Sequence, residues 1–309
     1  MSAPTRAAVA ASVNDRLKAV AKRMPGDQNL NHTFVQQRYV YERLLARLTR
    51  TPFADRWVLK GGVLMLTLPA EVNRVTLDMD WSVADGPRLS VTACLRELCD
   101  MEAVPEDGMS YRLVDAGKDA PKIIRDESPH PTVRAHIEAT MHCTRPNGRK
   151  FMVDVTEAEV AFEPVRREWR PSVRGFEPFD VAAYPWELVL AEKLHSVLTG
   201  TIRNPRLRDY MDIIAISRSG VVDLAEAPGL VMRVFAARGD ADRLDLCGDG
   251  LTSAFADARQ ADWTGTLSRT GYAGQMPAAL AAAIAEVMDI AGQLIDLAMD
   301  SGIRAQACP

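Results

Sequence analysis

The stretch "VTLDMDWSV" constrains the fold more than any other part of the chain. Its alternation puts Thr76, Asp78, Asp80 and Ser82 on one face of a strand, with Val75, Leu77, Met79, Trp81 and Val83 on the other. Side chains at i and i+2 lie roughly 6.6 Å apart along a strand. Two carboxylates placed that way repel unless a positive charge sits between them. Magnesium binds carboxylate oxygens at about 2.0–2.1 Å, so both side chains can converge on one ion. A solvated edge strand, kept soluble by its aspartates, would carry the same pattern.

The flanking sequence favours the ion. "RWVLKGG" reads as a short strand running into a glycine turn, and "VLMLTL" is apolar enough for a buried helix or strand. At such a turn the backbone N–H groups of Gly61 and Gly62 can approach a triphosphate closely. Downstream, Asn147-Gly148 in "RPNGRK" predicts a hairpin turn, and the second strand, "FMVDVTEAEV", sets Asp154 between valines. A third carboxylate on a neighbouring strand would complete a site for two ions about 3.5–4 Å apart, an arrangement used for in-line phosphoryl chemistry.

Helical periodicity appears on both sides of these strands. "FVQQRYVYERLLARLTRT" repeats Phe34, Val35, Tyr39, Leu44, Leu45 and Leu48 near helical period, and 90–101 is also helical in pattern. "YPWELVLAEKLHSVLTG" opens with Pro185 at a first helical position, and the chain reads as mostly helical from there, including an alanine-rich stretch from Met276. Lys193 falls inside the apolar stripe of Trp186, Val189, Leu190, Leu194 and Val197. It either snorkels along the surface or reaches an anion in a cleft. With the stem packed either way, Lys193→Met is expected to leave the melting temperature unchanged or raised. "RNPRLRDYMDII" then clusters Arg203, Arg206 and Arg208 before Asp209 and Asp212, acids one helical turn apart that could simply complement a helix dipole.

The shift from mixed to helical composition at 176–184 divides the chain into an expected core at 1–175 and a mainly helical lobe at 176–309. A net charge of −4 argues against a generally basic nucleic-acid coat but leaves room for a local basic groove, with "TRPNGRK" and Arg166, Arg167 and Arg170 as candidates. No apolar run approaches the ~20 residues of a membrane span. The N-terminal stretch is interrupted by Arg6, Asp15 and Arg16, lacks a signal-peptide core and predicts an amphipathic helix. Five scattered cysteines without a CxxC pair suit reduced thiols in a cytoplasm, and the histidines show no HExxH spacing for zinc.

Taken in order, "ERLLARL", "WVLKGGVLML", "RVTLDMDWS", "FMVDVTEAE", "YPWELVLAEKLHSVL" and "NPRLRDYMDI" resemble the AbiEii/AbiGii-type, MenT-like nucleotidyltransferase toxins of the DNA polymerase β-like superfamily. The resemblance runs from about residue 38 to 214 and implies an α+β fold. That fold is a polymerase β-like core of mixed sheet and flanking helices, followed by a mainly helical C-terminal lobe. It further implies that Asp78 and Asp80, with Asp154 as third carboxylate, ligate magnesium or manganese. Lys60, Gly61, Gly62, Arg74, Thr76, Lys193, Arg206 and Arg208 would bind the nucleoside triphosphate. Lys193 would neutralise phosphate charge, and Asp209 belongs to an essential acidic motif, with Asp212 as a possible addition. Many superfamily members have Gly-Ser where this chain has Gly61-Gly62, and Arg208 stands where lysine is frequent.

The activity implied is transfer of a nucleotide from NTP to the 3′ end of tRNA by a growth-inhibiting cytoplasmic toxin with a cognate antitoxin. A nucleotidyltransferase acting on protein or a small molecule, and an inactive module that sequesters tRNA or a partner, are the alternatives.

Overall fold

The apolar side of "VTLDMDWSV" packs as its alternation predicts: Met79 and Trp81 are fully buried in strand β2 (Asp78–Val83), while Asp78 and Asp80 are half-buried. The computed structural model describes residues 4–24, 27–69, 76, 78–83, 90–124, 130–143, 147–200, 206–244, 246, 248–270, 272 and 274–300. Val75 and Leu77 of the alternating stretch, Arg74, Arg203, Cys247 and Cys308 lie outside the described residues.

The chain divides into two compact units. The first takes in Met1–Thr67, Val75–Ala158 and Pro164–Ala183, and the second takes in Leu68–Arg74, Glu159–Glu163 and Tyr184–Pro309. Eight strands of the first unit form one mixed sheet: β1 (Trp57–Lys60), β2, β3 (Met109–Leu113), β4 (Lys122–Ile124), β5 (Thr132–Met141), β6 (Asn147–Glu157), β7 (Val165–Trp169) and β8 (Phe179–Ala183). Their order is β3-β5-β6-β2-β1-β8-β7, with β4 also on β5. The β2/β6 and β1/β8 pairs are parallel and the rest antiparallel. The division expected at residue 175 falls before β8, which joins the sheet beside β1.

The predicted hairpin is β5–β6, but its turn is not at Asn147-Gly148. Those two residues already belong to β6, registered against Met141 and Thr140, so the chain reverses before them. A two-residue turn is the commonest use of Asn-Gly, yet here the ten registered pairs of the long ladder outweigh that local preference.

Helix α1 (Arg6–Ala21) is the helix expected at the N-terminus, and it buries Ala10, Val13, Leu17 and Ala21 on one face although its sequence is only weakly amphipathic. Helix α2 (Gln28–Leu48) starts where the Asp27 side chain accepts from the Asn29 and Leu30 N–H groups at 2.8 and 2.9 Å. Its buried face meets the sheet. Tyr41 sets its ring edge-on to Phe151 at 5.2 Å, and the Tyr111 hydroxyl donates to the Val40 carbonyl at 2.7 Å. Arg47 forks onto the buried carboxylate of Asp107 at 2.7 and 3.1 Å, and Arg43 adds a third contact at 3.2 Å. An isolated carboxylate there would be costly, and this pairing fixes α2 at the head of β3. Short helix α3 (Gly61–Leu64) follows β1, and α4 (Val91–Asp100) is capped by the Ser90 hydroxyl.

The second unit is helical: α5 (Trp186–Leu198), α6 (Leu207–Arg218), α7 (Ala227–Ala237), α8 (Ser253–Arg269) and α9 (Leu280–Asp300). In α9 the alanine-rich stretch buries Leu280, Ala283, Ile284, Val287, Ala291, Leu294 and Ala298, an i, i+3, i+4, i+7 stripe. The fold is α+β, as the sequence implies.

Candidate functional site

Sheet register lines up four charged residues on one face of the first unit. Lys60 on β1 pairs with Asp80 on β2, Asp80 with Asp154 on β6, and Asp154 with Arg134 on β5. Neighbouring strands are about 4.8 Å apart, so three carboxylates (Asp78, Asp80 and Asp154) gather on this face between a lysine and an arginine. Arg134 grips Asp154 as a fork, Nε to Oδ1 at 2.8 Å and Nη2 to Oδ2 at 2.6 Å. Those hydrogen bonds, with the field of Asp154, Asp78 and Asp80, hold the guanidinium pKa above its ordinary value despite partial burial.

A buried hydrogen-bond chain from α2 orients Asp78. The Gln37 amide donates to the Tyr41 hydroxyl at 3.0 Å, and Tyr41 donates to the Thr76 carbonyl at 3.0 Å. The Thr76 hydroxyl donates to Asp78 Oδ1 at 2.8 Å. Tyr41 and Thr76 are both 1% exposed, so water does not compete for these bonds. Burial pushes the Tyr41 hydroxyl pKa up, with the Asp78 and Asp80 charges adding to the effect, and the group stays a donor.

Gly61 serves Asp80. Its φ is +64°, and a Cβ there would overlap the Asp80 carboxylate, with the Asp80 Cγ only 2.8 Å away. Only glycine combines that backbone conformation with that clearance. Gly62 is buried in the first turn of α3. Gly61→Ala is therefore expected to displace Asp80, lowering nucleotide transfer at least ~10-fold and costing about 1–2 kcal/mol of stability. Transfer assays and thermal melts on the variant would check this; an alanine variant with unaltered activity would mean that the close approach does not matter.

In the second unit α5 and α6 bring together the other residues singled out from sequence. The Lys193 ammonium donates to Asp209 Oδ1 at 3.0 Å and to Asp212 Oδ2 at 2.5 Å. Asp212 Oδ1 accepts from the Tyr272 hydroxyl at 2.9 Å, and Arg206 pairs with Asp209 Oδ2 at 2.8 Å. Lys193 is 8% exposed, Asp209 3% and Asp212 0%. Lys193 does not snorkel to water, and the two acids do more than complement a helix dipole. Arg206 is exposed and Arg208 half-buried at the start of α6.

Four of the basic side chains considered for nucleic acid are engaged within the chain, and Arg145 lies outside the described residues. Lys150 pairs with Asp119, Arg166 with Asp55 and Arg170 with Glu168, while Arg149 donates to Gln36 at 2.7 Å. Sequence reasoning passes over Arg134, Tyr41 and Tyr272. Arg134 carries a readable signal, a cation on the polar face of an alternating strand, but its partner depends on hairpin register. Tyr272, sixty positions from Asp212, carries none.

Hard carboxylate oxygens on one strand suit magnesium, which commonly binds through one or two carboxylates, water and substrate phosphates. Among the described residues no group of three or more His, Cys, Asp or Glu side chains is arranged to hold a metal by itself. Among them, too, no helix is long and apolar enough to cross a membrane. No curated protein matches the chain. Residues 43–286, most of its length, match the family model described as "Nucleotidyl transferase AbiEii toxin, Type IV TA system". The matched span includes Asp78 and Asp80 with Gly61, and Lys193 with Asp209 and Asp212. The chain belongs to the AbiEii family of nucleotidyl transferase toxins of type IV toxin–antitoxin systems.

Proposed function

We propose that the protein transfers a nucleotide from a nucleoside triphosphate to the 3′ end of tRNA in the cytoplasm, in a magnesium-dependent reaction countered by its antitoxin. The observation that carries the proposal is the placement of Asp78 and Asp80 on one strand face. Thr76 orients the first, and Gly61 clears space for the second. When bound, a divalent ion on Asp78 and Asp80 neutralises phosphate charge and orients the triphosphate. An acceptor hydroxyl attacks the α-phosphorus and loses its proton to solvent. The new P–O bond forms as the bond to the bridging oxygen breaks, and pyrophosphate leaves. Catalysis of this kind is mostly positioning and charge compensation. In the second unit Lys193, Arg206 and Arg208 outnumber Asp209 and Asp212 by one positive charge, which suits a phosphate role for Lys193 held by its two aspartates.

One observation favours a second reading, transfer to a protein or small molecule: Lys150, Arg166 and Arg170 are already ion-paired in a chain of net charge −4. Incubating the protein with α-labelled nucleoside triphosphates, magnesium and either tRNA or cell protein separates the two. Label should appear on tRNA and vanish when magnesium is chelated. Label on protein alone would overturn the tRNA assignment.

A further inference from the structure

Three carboxylates on one sheet face invite a two-ion site, but the third is already committed. Both oxygens of Asp154 accept from the Arg134 fork at 2.8 and 2.6 Å, and the Asp154 side chain is only 16% exposed. We propose that the acidic face takes a single divalent ion, on Asp78 and Asp80, and that Arg134, held by Asp154, stands as a fixed cation where a second ion would otherwise bind. The inference rests on the nucleotidyltransferase reading of this face and narrows it.

The geometry carries the proposal. A bidentate, charge-assisted arginine–carboxylate pair in registered neighbouring strands is both directional and strong. A second ion on Asp154 would have to share its oxygens with that guanidinium or displace it, and like charges one strand apart repel. Charge counting points the same way. Asp78, Asp80 and Asp154 less Lys60 and Arg134 leave a net −1, so one divalent ion turns the face positive toward a triphosphate. The raised pKa of Arg134 arises partly from Asp78 and Asp80, which places its charge within their field. On the simpler alternative the pair is a cross-strand tie between β5 and β6 with no bearing on metal.

Manganese titration followed by the electron paramagnetic resonance of free Mn²⁺ tests this without any activity measurement. The wild type should bind one ion. Asp154→Asn should also bind one, with affinity lower by no more than the ~10–100-fold typical of outer-shell partners, because a residue that holds Arg134 rather than a ligand has changed. Arg134→Met, which releases Asp154 while keeping the stem, should admit a second ion. Asp80→Asn should abolish binding, and thermal melts would confirm that each variant is folded. Two ions on the wild type, loss of all binding in folded Asp154→Asn, or no second ion in folded Arg134→Met would overturn the proposal and leave the transferase reading standing. No Mn²⁺ on the wild type, or unaltered binding in Asp80→Asn, would overturn both.

Discussion

Asp80→Asn lowers nucleotide transfer by about 10³-fold or more, equivalent to ~4 kcal/mol of transition-state stabilisation, while the protein still folds and melts within a few degrees of wild type. The two halves of this expectation come from the two faces of β2. The core face is Met79 and Trp81, with Trp81 edge-on to Trp57 at 5.1 Å, and the substitution leaves it untouched. Asparagine keeps the volume of the side chain on the polar face, so Gly61 still has its clearance. What is lost is one anionic oxygen from the pair of carboxylates, positioned by Thr76 and Gly61, that the proposed ion would use. Asp78→Asn should behave alike, since Thr76 Oγ1 can still donate to the amide oxygen. Transfer and melting measured on one preparation decide the matter; a folded Asp80→Asn protein with near wild-type turnover would contradict the assignment.

Lys193→Met has the largest expected effect on stability, and its sign is opposite to the sequence-based expectation. A snorkelling lysine could give way to methionine at no cost, but the Lys193 ammonium sits between two carboxylates, one of them fully buried. Removing the cation leaves Asp212 with the Tyr272 hydroxyl and Asp209 with Arg206. Breaking a buried ion pair by deleting one partner costs about 3–5 kcal/mol. At ~2–4 °C per kcal/mol for a domain of moderate size, the melting temperature should fall by roughly 10 °C. Turnover should fall by about 10²-fold or more if Lys193 also meets phosphate. The double variant Lys193→Met/Asp212→Asn removes the stranded charge and should regain much of the stability but none of the activity. A single variant that melts like wild type would show that the cluster contributes little, and full activity would overturn the phosphate role proposed for Lys193.

Much of this molecule is legible in local sequence patterns. The alternation of β2, the glycine turn after "RWVLK", the helical period of α2 and the apolar stripe of α5 are each written within a few residues. Long-range pairing is not. A two-residue turn at Asn147-Gly148 would put Asp154 opposite Met141, whereas the ladder that pairs Met141 with Asn147 puts it opposite Arg134. That shift of register hides the cation that grips Asp154. Lys193, Asp209 and Asp212 are each conspicuous in sequence, but only helix packing shows that the lysine is held by both acids. β8 escapes a local reading because one of its sheet partners, β1, lies far away in the sequence.

The most direct test of the central claim follows the fate of each phosphate. Parallel reactions with α-labelled and γ-labelled nucleoside triphosphate, tRNA and magnesium distinguish nucleotide transfer from every other use of the triphosphate. Nucleotide transfer leaves the α label on the 3′ end of tRNA and releases the γ label in pyrophosphate, and both signals should be lost in Asp80→Asn. A γ label on the acceptor, or release of inorganic phosphate with no α label transferred, would contradict it.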